Sequence, residues 1–180
     1  MPRIRPVEPD DVTPEQWAAL EAGETRFGRM TNMKRTLLRA PVGYDALMMW
    51  YDLRDVVQPW LGERLTVIFS HAISSETDCL ICSTFFRRIL IDWGDDPDVL
   101  TLDEREQLVV DFGRALSTQF SRVPPELYKR LSAEFSDEQI VALTSFGAMM
   151  VATNIVNNAL EVELDEYLGA YRAKEDERAR

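Results

Sequence analysis

Apolar side chains recur along most of the chain at the three-to-four-residue spacing that gathers them on one face of an α-helix. Leu47, Met48, Tyr51 and Val56 follow this period between Tyr44 and Val57. A denser apolar run covers 63–76, with Leu65, Val67, Ile68, Phe69, Ala72 and Ile73, and another covers 78–91. Leu108, Val109, Phe112, Leu116 and Phe120 form a further face, and a long apolar stretch extends from Gln139 to Leu160. The pentamer 65–69, LTVIF, is rich in strand formers. It sits among helical neighbours with no partner strand in view, so it is assigned to a helix.

Start and stop signals divide this pattern. Thr13 with Pro14 and Gln16 predicts a capped helix whose apolar face includes Trp17, Leu20 and Phe27. A short helix over 32–40 must end before Pro41. Pro59 and Gly62 punctuate the chain, and Ser74 to Asp78 form a break, after which Thr77 or Asp78 caps a helix opening on Cys79. Gly94 to Pro97 form a loop. Thr101 with Glu104 and Ser136 with Gln139 read as capping boxes, and Pro124-Pro125 breaks the chain between them. The expected fold is all-α, a helical bundle, in one domain over 1–180. It comprises an N-terminal helical layer over 1–60, a core over 61–170 with the C-x-x-C helix, and a frayed charged tail over 171–180.

Charge narrows the functional classes. Lys and Arg number 20 against 31 Asp and Glu, a net charge of −11. A nucleic-acid binder needs a basic field, and an anionic membrane repels an acidic chain, so neither partner is expected. The stretch 139–160 is long enough to span a bilayer, but Thr144, Ser145, Thr153, Asn154, Asn157 and Asn158 interrupt it, and it reads as a buried core helix. The N-terminus is charged from the start and lacks a secretory apolar region, so the expected compartment is the cytoplasm. Two cysteines and one histidine cannot supply a four-ligand Cys/His zinc site, and neither a metal nor a cofactor is expected.

The chemical signal is Cys79-Leu80-Ile81-Cys82. At positions i and i+3 of a helix the two sulfurs share a face, and the helix N-terminus favours thiolate. The pair reads as a dithiol redox centre or as two small apolar residues in a core helix. His71, the lone histidine, reads as a hydrogen-bonded core residue or as a base for a thiol. Arg87-Arg88 reads as a solvated or ion-paired edge, or as an anchor for a substrate carboxylate.

Three segments carry a resemblance: 65–86 (LTVIFSHAISSETDCLICSTFF), 135–164 (FSDEQIVALTSFGAMMVATNIVNNALEVEL) and 31–47 (TNMKRTLLRAPVGYDAL). In this order they resemble the carboxymuconolactone decarboxylase / alkylhydroperoxidase D superfamily, with Asn154 and the Ala159, Leu160, Val162 ending matching its closing helix. The resemblance implies an all-α fold of the alkylhydroperoxidase D type, a homo-oligomer (trimer or hexamer), a small-molecule substrate and, in the peroxidase branch, a cysteine pair that reduces hydroperoxides with a thiol reductant. There the second cysteine attacks, assisted by a histidine four residues later and a glutamate twelve residues before the first cysteine. Cys79 and Cys82 match, whereas the histidine position is Phe86 and the glutamate position is Val67.

With the relay replaced by apolar residues, the candidate catalytic set is Cys82 as attacking thiol, Cys79 as resolving thiol and His71 as substitute base, one helical turn from Val67. Glu63 and Glu76 are further candidates. Val67 and Phe86 are expected to line the substrate pocket. The alternatives are a cofactor-free decarboxylase-like enzyme binding a small organic acid or lactone near Phe86 and Trp93, and a catalytically silent oligomeric module.

Overall fold

The computed structural model describes residues 2–118 and 120–173. Residues 174–180, most of the expected charged tail, lie outside the described residues. Among the described residues eight α-helices follow in order: α1 Pro14–Phe27, α2 Asn32–Leu37, α3 Pro41–Leu61, α4 Glu63–Glu76, α5 Leu80–Asp92, α6 Glu104–Ser117, α7 Pro125–Glu134 and α8 Asp137–Leu160. A 3-10 helix covers Glu166–Tyr171, and no strand occurs among the described residues.

The capping boxes of Thr13 with Gln16 and Ser136 with Gln139 are both closed by reciprocal hydrogen bonds. The third box is shifted: Asp103 caps α6 and pairs with Glu106, so the Thr101–Glu104 assignment is corrected. Asp is as good an N-cap as Thr, and starting α6 there leaves Leu102 free to pack against the core from the preceding loop. α6 ends at Ser117, which leaves Phe120 largely exposed and not on its apolar face. Pro59 does not end a helix. It sits in the last turn of α3, which continues to Leu61 and stops at Gly62, where φ is 92°. α7 and the 3-10 helix are short elements that the sequence reading does not assign.

α4 is the central element and packs against α3, α5, α6 and α8. The run LTVIF lies wholly within it. Its buried hydroxyls are accommodated because Thr66, Ser70 and Ser74 each donate to the carbonyl one turn earlier, at 2.7 to 2.9 Å. Phe69, fully buried, wedges between α6 and α8 and stacks near Phe112 and Phe146. Glycines make room for it. A Cβ on Gly113 would lie 3.0 Å from the Phe69 ring, and one on Gly147 would lie 3.0 Å from that ring and 2.6 Å from Leu116.

A second, smaller cluster of Val7, Leu20, Leu37, Leu38, Tyr44 and Met48 ties the N-terminal helices to α3. α3 bridges the two clusters, since Val57 and Leu61 belong to the larger one. α8 is long and apolar enough to cross a bilayer, yet it packs along α3, α4 and α6 and buries Ile140, Leu143, Phe146 and Met150. After α8 the chain returns to the N-terminal layer, where the Asn32 backbone N–H donates to Asp165 at 3.0 Å.

Candidate functional site

The break between α4 and α5 builds the site. Asp78 turns the chain in the left-handed region (φ 51°), a conformation Asp tolerates better than most residues. Cys79 is the N-cap of α5 and Cys82 lies one turn along. The expected cap from Thr77 or Asp78 is not formed. The Thr77 hydroxyl instead donates to the Ile73 carbonyl at 2.9 Å and closes the end of α4.

Three asparagines of α8 hold this break. The Asn154 amide donates to the Thr77 hydroxyl at 2.8 Å, and the Asn158 amide donates to the Thr77 carbonyl at 2.9 Å. Asn157 reaches the sulfurs themselves, with its Nδ2 3.3 Å from Cys82 Sγ and 3.8 Å from Cys79 Sγ. Both cysteines are free thiols and buried.

The two thiols are not equivalent. The S–H of Cys82, donated to Cys79, holds the Cys79 thiol below its usual range, with help from the Cys82 and Ile81 backbone N–H groups and Asn157 against the opposing effect of burial. Cys82 is pushed well above the usual range because its proton serves Cys79, because it is buried, and because Cys79 carries the charge. The pair therefore holds one shared proton when half-ionised, with Cys79, at the positive end of α5, as its thiolate end.

Cys82 opens onto a cavity of about 390 Å³. Its walls come from α3 (Trp50, Tyr51), α5 (Ile81, Phe85, Phe86) and α8 (Met150, Thr153), with Phe27, Arg29 and Lys34 from the N-terminal layer and Asp165 and Tyr167 from the C-terminal stretch. A smaller cavity of about 140 Å³ adjoins it, sharing Trp50, Tyr51, Phe85 and Phe86. Val67 lies on this smaller cavity, together with Glu63 and Trp93. Val67 and Phe86 thus meet at one place, beside the cysteine cavity.

His71 lies elsewhere. It faces a third cavity, of about 750 Å³, with Glu76, Arg87, Asp98 and Arg114, and that cavity shares no lining residue with the one that holds Cys82. Burial, reinforced by Arg87, pushes the His71 pKa down to about 4, so the imidazole is neutral at neutral pH. The structure does not bring His71 or Glu76 together with the cysteines. Val67 and His71 are one turn apart on α4, but α4 is surrounded by partners, and a turn's step along it leads from the smaller cavity to the opposite one.

No protein-family model matches the chain, and no curated protein matches it by sequence. Solved structures do. An alkylhydroperoxidase AhpD core, an uncharacterized peroxidase-related protein from Ralstonia eutropha, superposes with TM-score 0.74 at 18% identity, covering 93% of this chain and 94% of that one. The fold is that of AhpD. The debrominase Bmp8, solved as a cysteine-to-alanine variant with 2,3,4-tribromopyrrole, matches with TM-score 0.76 at 17% identity, over 93% of this chain and 94% of that one. A peroxidase-related protein from a Silicibacter species matches with TM-score 0.71 at 18% identity, over 92% of both chains.

Several residues of this site were not singled out as site residues in the sequence. Asn157 and Asn158 stood out only as polar interruptions of an apolar helix. Their spacing from Asn154, i+3 and i+4, is the signal that all three share one face. Lys34 gave no such signal, standing beside Arg35 in a short helix. It is 3% exposed, and its Nζ donates to the Arg29 carbonyl at 3.2 Å and sits 5.2 Å from the ring centres of Phe27 and Tyr51.

Proposed function

We propose that the protein is a thiol oxidoreductase in which Cys82 and Cys79 deliver two electrons to a small molecule in the 390 Å³ cavity. The observation that carries this reading is the asymmetry of the pair: Cys82 is on the cavity wall, and Cys79 is fully buried behind it as the stabilised thiolate. Cys79 then acts as the base that Phe86 and Val67 cannot supply. As Cys82 attacks the terminal oxygen of a hydroperoxide, its proton passes to Cys79. The O–O bond breaks, the oxygen attacked becomes the Cys82 sulfenic acid, and the leaving alkoxide takes the proton from Cys79. The Cys79 thiolate next attacks the Cys82 sulfur, forming the disulfide and expelling hydroxide, which solvent protonates. A dithiol reductant returns two electrons and two protons. His71 has no part in this scheme.

The aromatic lining of the cavity favours a second substrate of the same chemistry, a halogenated ring. There two thiols and a carbon–halogen bond yield a carbon–hydrogen bond, halide, a proton and the disulfide. Peroxide-dependent oxidation of dithiothreitol by the parent protein tests the first reading, and halide release from tribromopyrrole tests the second. Cys82→Ser should abolish either activity. Cys79→Ser removes both the base and the resolving thiol, so peroxide should form the Cys82 sulfenic acid only slowly, and dimedone should trap what forms because no disulfide can follow. Turnover that survives Cys82→Ser would overturn both.

We also propose that the chain self-associates. Val42, Met49 and Val56 form an exposed apolar stripe at heptad spacing on α3, and Val141 and Ile155 are exposed on α8. Light scattering should give a multiple of 20.7 kDa, and the monomer mass would contradict it.

A further inference from the structure

Lys34 is the feature of the cavity that the thiol chemistry does not use. A lysine is almost never fully buried without a partner, because removing an ammonium from water is costly. Among the described residues Lys34 has one hydrogen-bond acceptor, the Arg29 carbonyl, and no carboxylate close enough for an ion pair. Its remaining donors have only the faces of Phe27 and Tyr51 beside them. Arg29, stacked 4.4 Å over Tyr167, also lines the cavity without an ion pair among the described residues. Arg88 completes a set of three cations there, though it is paired with Asp92 at 3.2 Å. The one opposing carboxylate on the cavity is Asp165, whose Oδ1 accepts from the Asn32 backbone. A chain of net charge −11 thus carries a cation-rich, ring-walled cavity beside its reactive sulfur. One further buried donor, the Trp50 indole N–H, has no acceptor among the described residues.

We infer that the cavity selects a small aromatic anion, a carboxylate or phenolate on one or two rings, with Lys34 as the residue that recognises its charge. The rings stack on Trp50, Tyr51 and Phe86, and the anionic oxygen accepts from Lys34 Nζ. The volume fits such a molecule, since ligand pockets of about 300–1,000 Å³ bury most of a drug-sized compound. This inference deepens the proposed function by naming its substrate class, and it rests on the cavity being the substrate site. It makes Lys34 a specificity residue and not a participant in electron transfer.

Burial gives the recognition a pH signature. It pushes the Lys34 pKa down to about 8, against the pull of Asp165. The other groups around the cavity do not titrate in the same way. Burial pushes Tyr51 up to about 12 and also raises Tyr167, and Cys82 is well above the usual thiol range. Burial raises the Asp165 carboxyl above its ordinary value, opposed by the Asn32 backbone N–H and by Arg35 and Arg29.

The test is equilibrium binding to the reduced protein, read by calorimetry or by quenching of tryptophan fluorescence, so it is independent of whether the cysteines turn over. The probes are benzoate and benzamide, of nearly equal shape, the first an anion and the second neutral. Benzoate is expected to bind about tenfold or more tighter at neutral pH, as for a hydrogen bond to a charged group. That preference should decline as pH rises through about 8 in the parent protein, since Lys34 loses its proton there while benzoate stays anionic. Lys34→Met should bring the two affinities close to equality, with helicity unchanged. Equal affinities in the parent, a preference for benzamide, binding of neither probe, or a benzoate preference unchanged in Lys34→Met would each overturn the inference. Loss of peroxide turnover with the benzoate preference intact would instead strike the proposed function alone.

Discussion

Replacing Asn157 with leucine removes the donor that both sulfurs share, at a residue 2% exposed and of similar volume. A hydrogen bond to a charged group contributes about 1.5–3 kcal/mol. The acceptor here is sulfur, which is weak, and the contacts are long at 3.3 and 3.8 Å, so the lower end applies. About 1.4 kcal/mol corresponds to roughly one pKa unit. Since Asn157 lowers the pKa of both thiols, its loss should move the first ionisation of the pair upward by about that much. The thiolate fraction below that pKa then falls about tenfold. The remaining thiolate is more basic and hence more nucleophilic, with a Brønsted slope of about 0.4–0.5, so alkylation slows by only about threefold. The assay is an ultraviolet titration of thiolate absorbance, paired with iodoacetamide alkylation followed by mass spectrometry. Asn154→Leu is the control, since Asn154 holds Thr77 and Ser74 but neither sulfur. An unchanged thiol titration in Asn157→Leu, with the melting transition intact, would refute the role given to this amide.

Lys34→Met should stabilise the protein at neutral pH by about 1–3 kcal/mol, seen as a higher melting temperature, because it relieves a buried charge. In the parent protein the depressed Lys34 pKa means that stability should rise with pH between about 8 and 10.5, and that rise should vanish in the variant. His71→Gln should leave the rate of thiol alkylation unchanged. The folded pKa of His71 is depressed from 6.5 to about 4, so its stabilising effect is full above 6.5 and is lost as pH falls through that window. Acid unfolding of His71→Gln should be correspondingly less steep over those pH values. Gly147→Ala should destabilise by about 1–3 kcal/mol in chemical denaturation, because its Cβ would press on Leu116 and Phe69. An unperturbed midpoint would show that α8 can shift to admit it.

The sequence made the helices legible where their apolar faces are broad and their caps chemical, as at Thr13 and Ser136. It also placed the cysteines at a helix start, although α4 runs on through Ser74 to Glu76 and the break expected over Ser74 to Asp78 is confined to Thr77 and Asp78. It was less informative where one helix is covered on all sides. The spacing of Val67 and His71 defines a common phase along α4, but only the packing of α3, α5, α6 and α8 around it decides which neighbour each side chain meets. The cavity residues from the N-terminal layer and from 165–167 were invisible for a related reason. They reach the site through long-range chain returns, and a single lysine or aspartate in a polar stretch carries no periodic signal.

The central claim is that Cys79 and Cys82 act as one redox pair. Its most direct test is a count of free thiols, with peptide mapping, after one equivalent of a hydroperoxide is added to the reduced protein. The account expects two thiols lost per chain, a Cys79–Cys82 disulfide within one chain, and full recovery with dithiothreitol. Both thiols retained after peroxide, or a disulfide formed only between chains, would contradict it.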